Sequence, residues 1–275
     1  MINFKVDESK CIHCGLCSSD CPALIIDNQT EFPTIKEGKE DNCLKCQHCL
    51  AICPSGAISI LGKEPENSIP VTNEIPDSNE MEKLMKTRRS IRKFKPEALD
   101  KELIYQMISV ASYAPTGHND NAVRFSVVES RTEFDKLRNL VYDGIKKANE
   151  EMRIPKSMLF LNNFQAMWEM KNIDVLFRDA PHLLITSAPK NCASPQLDCG
   201  IAMTYFDLLA NSNGIGTLWD GFAKMVIEGV IPEVKKMIGI PEDHKIGAVL
   251  LFGKASVKYA RSIQNDNPEI KRISL

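Results

Sequence analysis

Two cysteine runs of identical spacing constrain this chain more than any other feature. Each run has the form C-x2-C-x2-C-x3-C-P, and their members are Cys11, Cys14, Cys17, Cys21 and Pro22, then Cys43, Cys46, Cys49, Cys53 and Pro54. Three thiolates at two-residue intervals fit a short loop that wraps one corner of a cubic iron–sulfur cluster. Each loop then binds three of four irons, and the fourth ligand must come from elsewhere in the chain.

Zinc and disulfide bonds are the alternative roles for these cysteines, and the spacing favours neither. Structural zinc sites use separated Cys pairs or a mixture of Cys and His, whereas each run offers three close thiols and then Cys-Pro. Disulfides form in oxidising compartments, and the segment MINFKVDESK lacks the apolar core of a signal peptide. His13 and His48 occupy spacer positions and are interpreted as loop residues, not ligands.

Residues 1–62 resemble bacterial two-cluster ferredoxins along their whole length, including the Cys-Pro endings and the Gly-Ala-Ile after the second run. In those proteins the fourth cysteine of each run binds the other cluster. The resemblance therefore implies a small βαββαβ-like domain with two 4Fe-4S clusters, bound by Cys11, Cys14, Cys17 and Cys53 and by Cys43, Cys46, Cys49 and Cys21. The polar insert at residues 25–42 is expected to form a hairpin or loop and to leave the ligation unchanged.

The remaining length allows one further domain of ordinary size. The chain has 275 residues, of which 43% are hydrophobic and 25% charged, with a formal net charge of −2. This balance argues against general binding to nucleic acids or anionic membranes. No stretch approaches the roughly 18 apolar residues of a membrane span, and a cytoplasmic location is expected. Residues 63–80 contain three prolines and little apolar periodicity, which predicts a linker or extended arm.

Helical and strand patterns alternate over residues 81–275, which indicates an α+β or α/β domain. One helix is predicted from Met81, with Asp77 or Ser78 as its N-cap, and another after Leu99. Further helices are predicted at residues 131–152 and 196–212. Buried strands are predicted at residues 123–130, 181–189 and 245–253.

A basic segment opens this second domain. Residues 83–95 hold seven basic residues and no acidic one, which taken alone is typical of a solvated helix end. The sequence RRSIRKF at residues 88–94, however, combines guanidinium groups with a hydroxyl beside two apolar anchors. Such a group can bind a phosphate from several sides. It therefore favours a phosphorylated cofactor or substrate.

The segment RRSIRKF resembles the opening signature of the FMN-dependent nitroreductase family. Three later segments are similar to that family in order and spacing: APTGHN at 114–119, NGIGTLWDGF at 213–222 and LLFGKASVKYAR at 250–261. The resemblance covers residues 81–265. It implies a nitroreductase-like α+β domain with a mixed sheet flanked by helices, and a swapped homodimer with FMN at the interface.

The family assigns its FMN contacts to three groups of positions in this chain. The phosphate and ribityl contacts fall to Arg88, Arg89, Ser90 and Arg92, with Arg261 closing on the phosphate. The contacts from the second subunit fall to Pro115, Thr116, Gly117 and Asn119. The backbone near flavin N5 is that of Trp219, Asp220 and Gly221, where an N–H can stabilise charge as electrons arrive.

Some positions depart from the family pattern or remain open. Asn121 stands where many relatives carry Gln, and Lys254 replaces an aromatic residue, so that it is either an added phosphate ligand or a surface lysine. His118 is interpreted as satisfying backbone groups and not as a proton relay. Cys192 and Cys199 are expected to be buried structural thiols. Residues 153–175, rich in Met, Phe and Trp, are either core or a lid over the flavin.

The two resemblances together suggest an iron–sulfur flavoprotein oxidoreductase. Electrons from a soluble donor, or from NAD(P)H, would collect on FMN and pass to a small electrophile such as a nitroaromatic, a quinone or an activated alkene. Fusion of the two domains raises the effective concentration of electron donor at the flavin. The alternatives are an electron-carrier module that stores electrons for a partner, and an FMN enzyme of this fold that performs dehydrogenation or dehalogenation.

Overall fold

The computed structural model describes residues 2–71, 75–264 and 268–275. The chain divides into two compact units, Met1–Ile75 and Pro76–Leu275. The division lies inside the expected linker at residues 63–80. Apolar side chains of this stretch, Ile69, Val71 and Ile75, are exposed.

The first unit is built from short elements. Their order is β1 (Lys5–Val6), α1 (Leu16–Ser19), β2 (Ile26–Asp27), β3 (Thr34–Ile35), α2 (His48–Ala51) and β4 (Ile58–Ser59). This order confirms the expected βαββαβ arrangement. Strand β1 pairs antiparallel with β4, and β2 pairs antiparallel with β3. The insert between the cysteine runs therefore forms a hairpin.

The core of the first unit mixes thiols with aliphatic side chains. Its buried members are Cys17, Ile25, Ile26, Cys49, Leu50, Ile58 and Ile60. A unit of this size buries little apolar surface, and small domains of this kind usually need metals or disulfides for stability. The cysteines of the two runs are free thiols, so bound metal is the available source of stability.

The second unit begins with α3 (Ser78–Thr87), whose N-cap is Asp77, and α4 (Lys101–Ala111). Its remaining elements are β5 (Arg124–Val128), α5 (Arg131–Glu150), α6 (Leu161–Lys171), β6 (His182–Pro189), α7 (Pro195–Ser212), β7 (Ile215–Trp219), α8 (Gly221–Gly229), α9 (Glu233–Met237) and β8 (His244–Lys254). No helix in the described ranges combines the length and apolar character needed to cross a membrane.

The strands of the second unit form a four-stranded sheet with the order β5-β6-β8-β7, and adjacent strands are antiparallel. An isolated parallel bridge joins Ser90, which lies outside the four strands, to Thr217 at the β7 edge. Helices cover both faces because side chains alternate along the buried strands. Leu183 and Ile185 pack with α5, α6 and α8, whereas Leu184 packs with α4 and α7. This architecture confirms the expected α+β fold.

Helix α7 packs closely on β8, and a glycine makes this approach possible. A Cβ atom on Gly247 would lie 2.0 Å from the Cβ of Cys199. Cys199 is fully buried at this contact, and burial raises the pKa of its thiol to about 11. Cys199 is therefore a structural thiol. Cys192, in contrast, is only half-buried.

Candidate cofactor sites

Two cavities in the first unit are each lined by three cysteines of one run and the fourth cysteine of the other. Cys11, Cys14, Cys17 and Cys53 line one cavity. Cys21, Cys43, Cys46 and Cys49 line the other. These are the two sets of four thiols expected from the resemblance to ferredoxins. The fold therefore brings each expected set together across the two runs.

Both cysteine loops bend at equivalent backbone positions. His13 and Lys45 precede the second cysteine of their runs and have φ angles of 53° and 55°. Gly15 and Gln47 follow the same cysteine and have φ angles of 71° and 60°. Left-handed residues placed in this way turn successive N–H groups toward one side, where they can stabilise an anion. Both loops thus fit an anionic cluster held by thiolates.

The thiols differ in their surroundings. Ala57 N donates to Cys53 Sγ at 3.2 Å, and Lys45 N donates to Cys43 Sγ at 3.4 Å. Burial raises the pKa of the Cys49 thiol to about 11. Burial also acts on Cys53, but hydrogen bonds from Ala57 N–H and Ser55 outweigh it and lower the pKa of that thiol. A metal must therefore displace a firmly held proton at Cys49, and metal binding supplies that energy.

The donor set at each cavity fits an iron–sulfur cluster. Among the described residues, each cavity is lined by four cysteines and by no other residue with a thiol. Four cysteine thiolates are the usual ligands of a 4Fe-4S cluster, each binding a different iron.

In the second unit, the segment after α3 runs along β7 and then along the end of β8. Ile91 N donates to Thr217 O at 2.8 Å, and Lys95 N donates to Lys254 O at 2.8 Å. Ile91 lies over Gly216, where a Cβ atom would come within 2.6 Å of Ile91 Cγ1. These contacts fix residues 88–92, hereafter the arginine loop, against the edge of the sheet.

Arg88 keeps hydrogen-bonding capacity for a ligand. Its side chain is one-quarter exposed, and Nη1 lies 3.6 Å from Asp207 Oδ2. Nη1 is nevertheless buried and makes no hydrogen bond with any described residue. A guanidinium group has five N–H donors, and a buried donor without an acceptor costs about 1–3 kcal/mol. Arg88 therefore fits an anionic or carbonyl ligand that supplies this acceptor.

The other members of the arginine loop are more exposed. Arg89 is half-buried, and its Nε donates to Arg88 O at 2.6 Å. Arg92 is exposed, and Ser90 is held by the bridge to Thr217. The structure thus brings Arg88 and Ser90 together with β7.

Asp207 on α7 connects the arginine loop to β7. It is 4% exposed. Its Oδ1 accepts from Thr217 Oγ1 at 2.5 Å and from Asn211 Nδ2 at 2.9 Å, while its Oδ2 accepts from Trp219 Nε1 at 2.9 Å. Sequence reasoning missed this residue, because a single Asp within an amphipathic helix gives no signal until the strand and loop beside it are known.

At the end of β7, the backbone amides of Asp220 and Gly221 differ in their partners. Asp220 N donates to Val249 O at 2.8 Å, so this amide is not available to a flavin near N5. Gly221 is different, because it opens α8, and the first N–H groups of a helix have no intrahelical partner. Its amide has no acceptor among the described residues, and a Cβ atom there would meet nothing within 4 Å. Gly221 therefore fits the expected role, and the Asp220 amide does not.

The Asp220 side chain points into the protein and caps α8. Oδ1 accepts from Ala223 N at 2.9 Å, while the buried Oδ2 has no hydrogen-bond partner in the described part of the chain. Burial raises the pKa of this carboxyl to about 7. Near neutral pH, the protonated fraction of Asp220 is thus far larger than that of an exposed Asp.

The turn after α4 has a strained backbone and is hydrogen-bonded to the first turn of α7. His118, Asn119 and Asn121 have φ angles of 52°, 57° and 47°. Gly117 N donates to Asp198 Oδ1 at 3.0 Å. Left-handed backbone at non-glycine residues costs free energy and clusters at functional sites. This turn contains Pro115, Thr116, Gly117 and Asn119, the group expected to reach the flavin of a second subunit.

The two groups of expected FMN residues are anchored at separate places on α7. Asp198 holds the turn and Asp207 holds the arginine loop and Trp219. Nine residues of helix span about 13 Å and two and a half turns, which places these anchors on opposite faces of α7. The two groups of residues expected to contact FMN therefore lie at separate places in one chain.

The C-terminal residues of the expected site are only partly brought to the arginine loop. The backbone of Lys254 pairs with Lys95, while its side chain is exposed. Arg261 is also exposed and lies beyond the bridge between Phe94 and Ala255. The structure of one chain does not join Arg261 to Arg88.

The aromatic segment at residues 153–175 serves both the core and the surface near α8. Leu161 is fully buried, and Trp168 stacks on Tyr142 with ring centroids 4.8 Å apart. Phe160 and Phe164 instead contact Phe222, which follows Gly221 and is 44% exposed. The segment therefore places an aromatic group beside the free amide of Gly221.

Two family models match the chain. The nitroreductase family model matches residues 85–254, and the 4Fe-4S dicluster domain model matches residues 10–58. Together they cover both cysteine runs and every strand of the larger sheet.

Individual proteins show the same relationship. The chain is 25% identical over 209 residues to YfhC of Bacillus subtilis (strain 168), which carries the name of an NAD(P)H nitroreductase; the match covers 74% of this chain and 94% of YfhC. It is 24% identical over 170 residues to the iodotyrosine deiodinase of Thermotoga neapolitana, covering 62% of this chain and 86% of that protein. A nitroreductase with bound FMN from Bacteroides fragilis has a TM-score of 0.58 at 20% identity, covering 71% of this chain and 100% of its own. That likeness shows the fold.

Proposed function

Because the chain belongs to the nitroreductase family and joins to it a 4Fe-4S dicluster domain, we propose that it is an FMN-dependent oxidoreductase supplied with electrons by iron–sulfur clusters. The first unit provides the cluster residues and the second unit the FMN residues. Bound clusters supply single electrons, and bound FMN supplies the two-electron reduction of a small electrophilic acceptor. The observation that carries the proposal is the arrangement of Arg88, Ser90, Trp219 and Gly221 around the β7 edge.

The number of clusters is proposed to be two. Two separate cavities, each lined by four thiols, support this number. The equivalent left-handed positions in both loops support the same mode of binding at each cavity. Cys11, Cys14, Cys17 and Cys53 would hold one cluster, and Cys21, Cys43, Cys46 and Cys49 the other.

The protein side chains of the second unit orient the flavin and stabilise charge. Arg88 has an unpaired N–H for a phosphate or flavin oxygen, and Ser90 adds a hydroxyl beside it. The Gly221 amide is free at the N-terminus of α8, where the helix dipole favours developing negative charge. The amide stands beside exposed Phe222, whose ring provides an apolar surface for a planar acceptor.

We propose that the active form is a homodimer in which each FMN contacts both subunits. The two groups of expected FMN residues, hereafter the two half-sites, are anchored on opposite faces of α7, and this supports the proposal because one chain does not bring them together. Apolar surface between α3 and α7 supports it as well: a groove of about 640 Å³ is lined by Met81, Leu84, Met85, Tyr205, Leu208 and Leu209. Exposed apolar surface of this extent on a protein usually marks an interface.

A second candidate reaction is reductive dehalogenation of an aromatic substrate. The similarity to an iodotyrosine deiodinase over 86% of that protein favours including it. The two reactions differ in their product, since dehalogenation releases a halide ion and nitro or quinone reduction does not. Halide release from a halogenated phenol, measured with a halide electrode, separates them.

The direct test is anaerobic. Purified, reconstituted protein is reduced until the flavin absorbance is bleached, and a nitroaromatic, a quinone or a halophenol is then added. Recovery of the flavin absorbance together with stoichiometric product supports the proposal. Reduced flavin that persists with every acceptor would exclude the reductase function and favour an electron-storing module.

A cluster variant tests the proposed electron route. Cys53→Ser should slow flavin reduction by a one-electron donor, because one cluster loses a ligand, while reduction by NADH should change little. The matched control is Cys192→Ser, which removes a half-buried thiol outside both runs. Equal reduction rates in the Cys53 variant and the control would exclude the cluster at Cys53 from the route.

A further inference from the structure

Asp207 is the buried carboxylate with the most contacts to the proposed flavin half-site. Three hydrogen-bond donors, Thr217 Oγ1, Asn211 Nδ2 and Trp219 Nε1, converge on it, and Arg88 Nη1 forms an ion pair with it. An exposed carboxylate would gain little from such contacts, but Asp207 is 4% exposed. Buried charges are retained when they are paired and hydrogen-bonded, as this one is.

We propose that Asp207 is a positioning residue that holds Arg88 and Trp219 in the geometry needed to bind FMN. The inference rests on the proposed function, because it assumes that Arg88 and the end of β7 contact the flavin. Asp207 itself acts through these two side chains.

The geometry gives Asp207 a different role for each partner. For Arg88, one oxygen lies close enough to fix the guanidinium by charge, at 3.6 Å, while leaving Nη1 without a hydrogen bond. Arg88 is therefore held in place with a donor still available. A closer, bidentate pair would have consumed the donors that a ligand needs.

For Trp219, the hydrogen bond to Asp207 Oδ2 fixes the indole ring two residues before Gly221. The ring is 38% exposed and lines a groove of about 390 Å³ along α7 with Gly200, Thr204 and Tyr205. Without an acceptor, the indole N–H would turn toward solvent, and the ring would no longer define this end of the groove.

The charge of Asp207 also has an effect that weakens FMN binding. It repels an anionic ligand and partly neutralises the positive charge of Arg88. If charge competition outweighed positioning, removal of the charge would strengthen FMN binding. We expect positioning to dominate, because hydrogen bonds from Thr217, Asn211 and Trp219 fix the Asp207 carboxylate, and loss of its charge would leave Arg88 without the partner that holds the guanidinium in place.

The test uses the full-length chain with its clusters and the variants Asp207→Asn and Arg88→Gln, alone and combined. Asp207→Asn should raise the FMN dissociation constant at least about tenfold. In the Arg88→Gln background the same change should raise it less than about threefold, because Asp207 then has no arginine to hold. Asp143→Asn, at an exposed position of α5, is the charge control.

A second readout needs no FMN. Trp168 and Trp219 are the two tryptophans of the chain, so Trp168→Phe leaves Trp219 as the single indole emitter. Adding Asp207→Asn should shift its emission to longer wavelength and increase quenching by acrylamide in the flavin-free protein. A role of Asp207 in stability alone would lower the melting temperature without these changes.

The outcomes separate the inference from the function on which it rests. If wild-type protein does not bind FMN, the proposed function fails. If wild-type protein binds FMN, the Asp207 inference is overturned by tighter or unchanged binding in Asp207→Asn, by additive effects in the double variant, or by unchanged Trp219 emission.

Discussion

The two units differ in where the residues proposed to bind a cofactor lie relative to the hydrophobic core. In the first unit, the proposed ligands are themselves part of the core, since Cys17 and Cys49 are buried with the aliphatic side chains. In the second unit, the proposed FMN residues lie at the edge of a sheet whose two hydrophobic cores are complete without them. The first unit therefore depends on its cofactor for stability, and the second holds a preformed surface ready for one.

The difference extends to how charge is handled. In the first unit, burial raises the pKa of the Cys17 and Cys49 thiols, so that metal binding is expected to drive their conversion to thiolates. In the second unit, buried carboxylates fix neighbouring segments: Asp198 accepts a hydrogen bond from the turn after α4, Asp207 forms an ion pair with Arg88, and Asp220 caps α8. The proposed cofactor of the first unit is thus held by thiolate ligation, whereas the proposed FMN residues of the second unit are positioned by hydrogen-bonded carboxylates.

The largest expected effect is loss of a cluster ligand. Cys53→Ser should remove up to half of the bound iron and acid-labile sulfide, because the cavity of Cys11, Cys14 and Cys17 loses its fourth thiol. The first unit should also become less stable, since metal binding and folding are coupled in small metal-dependent domains. Iron analysis and the heat-unfolding profile of the full chain measure both effects.

Cys192→Ser is the control for that change and should retain full iron. Full iron content in Cys53→Ser would contradict the assignment of Cys53 as a cluster ligand. Loss of iron with an unchanged unfolding profile would contradict the claim that the first unit depends on its clusters.

The second unit should respond most to a change in packing. Gly247→Ala places a Cβ atom 2.0 Å from that of Cys199, so α7 must move off β8 or the strand must shift. Overpacking of this kind costs about 1–3 kcal/mol or more. Calorimetry should show a lower melting temperature for this unit with the iron content unchanged.

Gly229→Ala is the matched control, because a Cβ atom there meets only Met158 Sδ, at 4.0 Å. Its melting temperature should stay close to that of the wild type. If Gly247→Ala is equally well tolerated, close packing of α7 on β8 is not what sets the position of the half-sites.

The contrast between the units also explains how much the sequence could predict. The two cysteine runs and the arginine loop are visible in local sequence, and the resemblance to ferredoxins implied the crossed cysteine sets, each of which the structure brings to one cavity. The roles of Asp198 and Asp207 could not be predicted from the sequence. Gly117, the partner of Asp198, lies 81 residues away along the chain. Arg88, the partner of Asp207, lies farther away still, and only the fold brings it near. The pairing of the Asp220 amide with Val249 could not be predicted either, because it depends on strand register.

A pH-dependent effect is expected from Asp220. Burial raises the pKa of this carboxyl in the folded state to about 7, from an ordinary value of 3.8. As pH rises through this window, the unfolded chain loses the proton before the folded chain does, so the folded state is progressively disfavoured. Stability should fall by at most about 1.4 kcal/mol per pH unit and level off above about pH 7.

Asp220→Asn should remove this fall while keeping an oxygen to cap α8. The measurement is the melting temperature of variant and wild type between about pH 5 and pH 8, and the difference should move in favour of the variant as pH rises. Asp143→Asn supplies the comparison at an exposed position. A constant difference between Asp220→Asn and wild type across this range would show that Asp220 does not titrate there.

The smallest effect is expected at Lys254, and it tests whether the surface of the second unit is as preformed as its interior. The backbone of Lys254 is fixed by Lys95, but its side chain is exposed and its charge is screened. Lys254→Gln should therefore weaken FMN binding less than about threefold, against at least about tenfold for Arg88→Gln, whose guanidinium is largely buried. Fluorescence titration of both variants with FMN at two salt concentrations measures this, and the small Lys254 effect should vanish at high salt. A tenfold, salt-resistant loss at Lys254 would mean that an exposed lysine is drawn onto the phosphate, so that the half-site is completed by the ligand and not preformed.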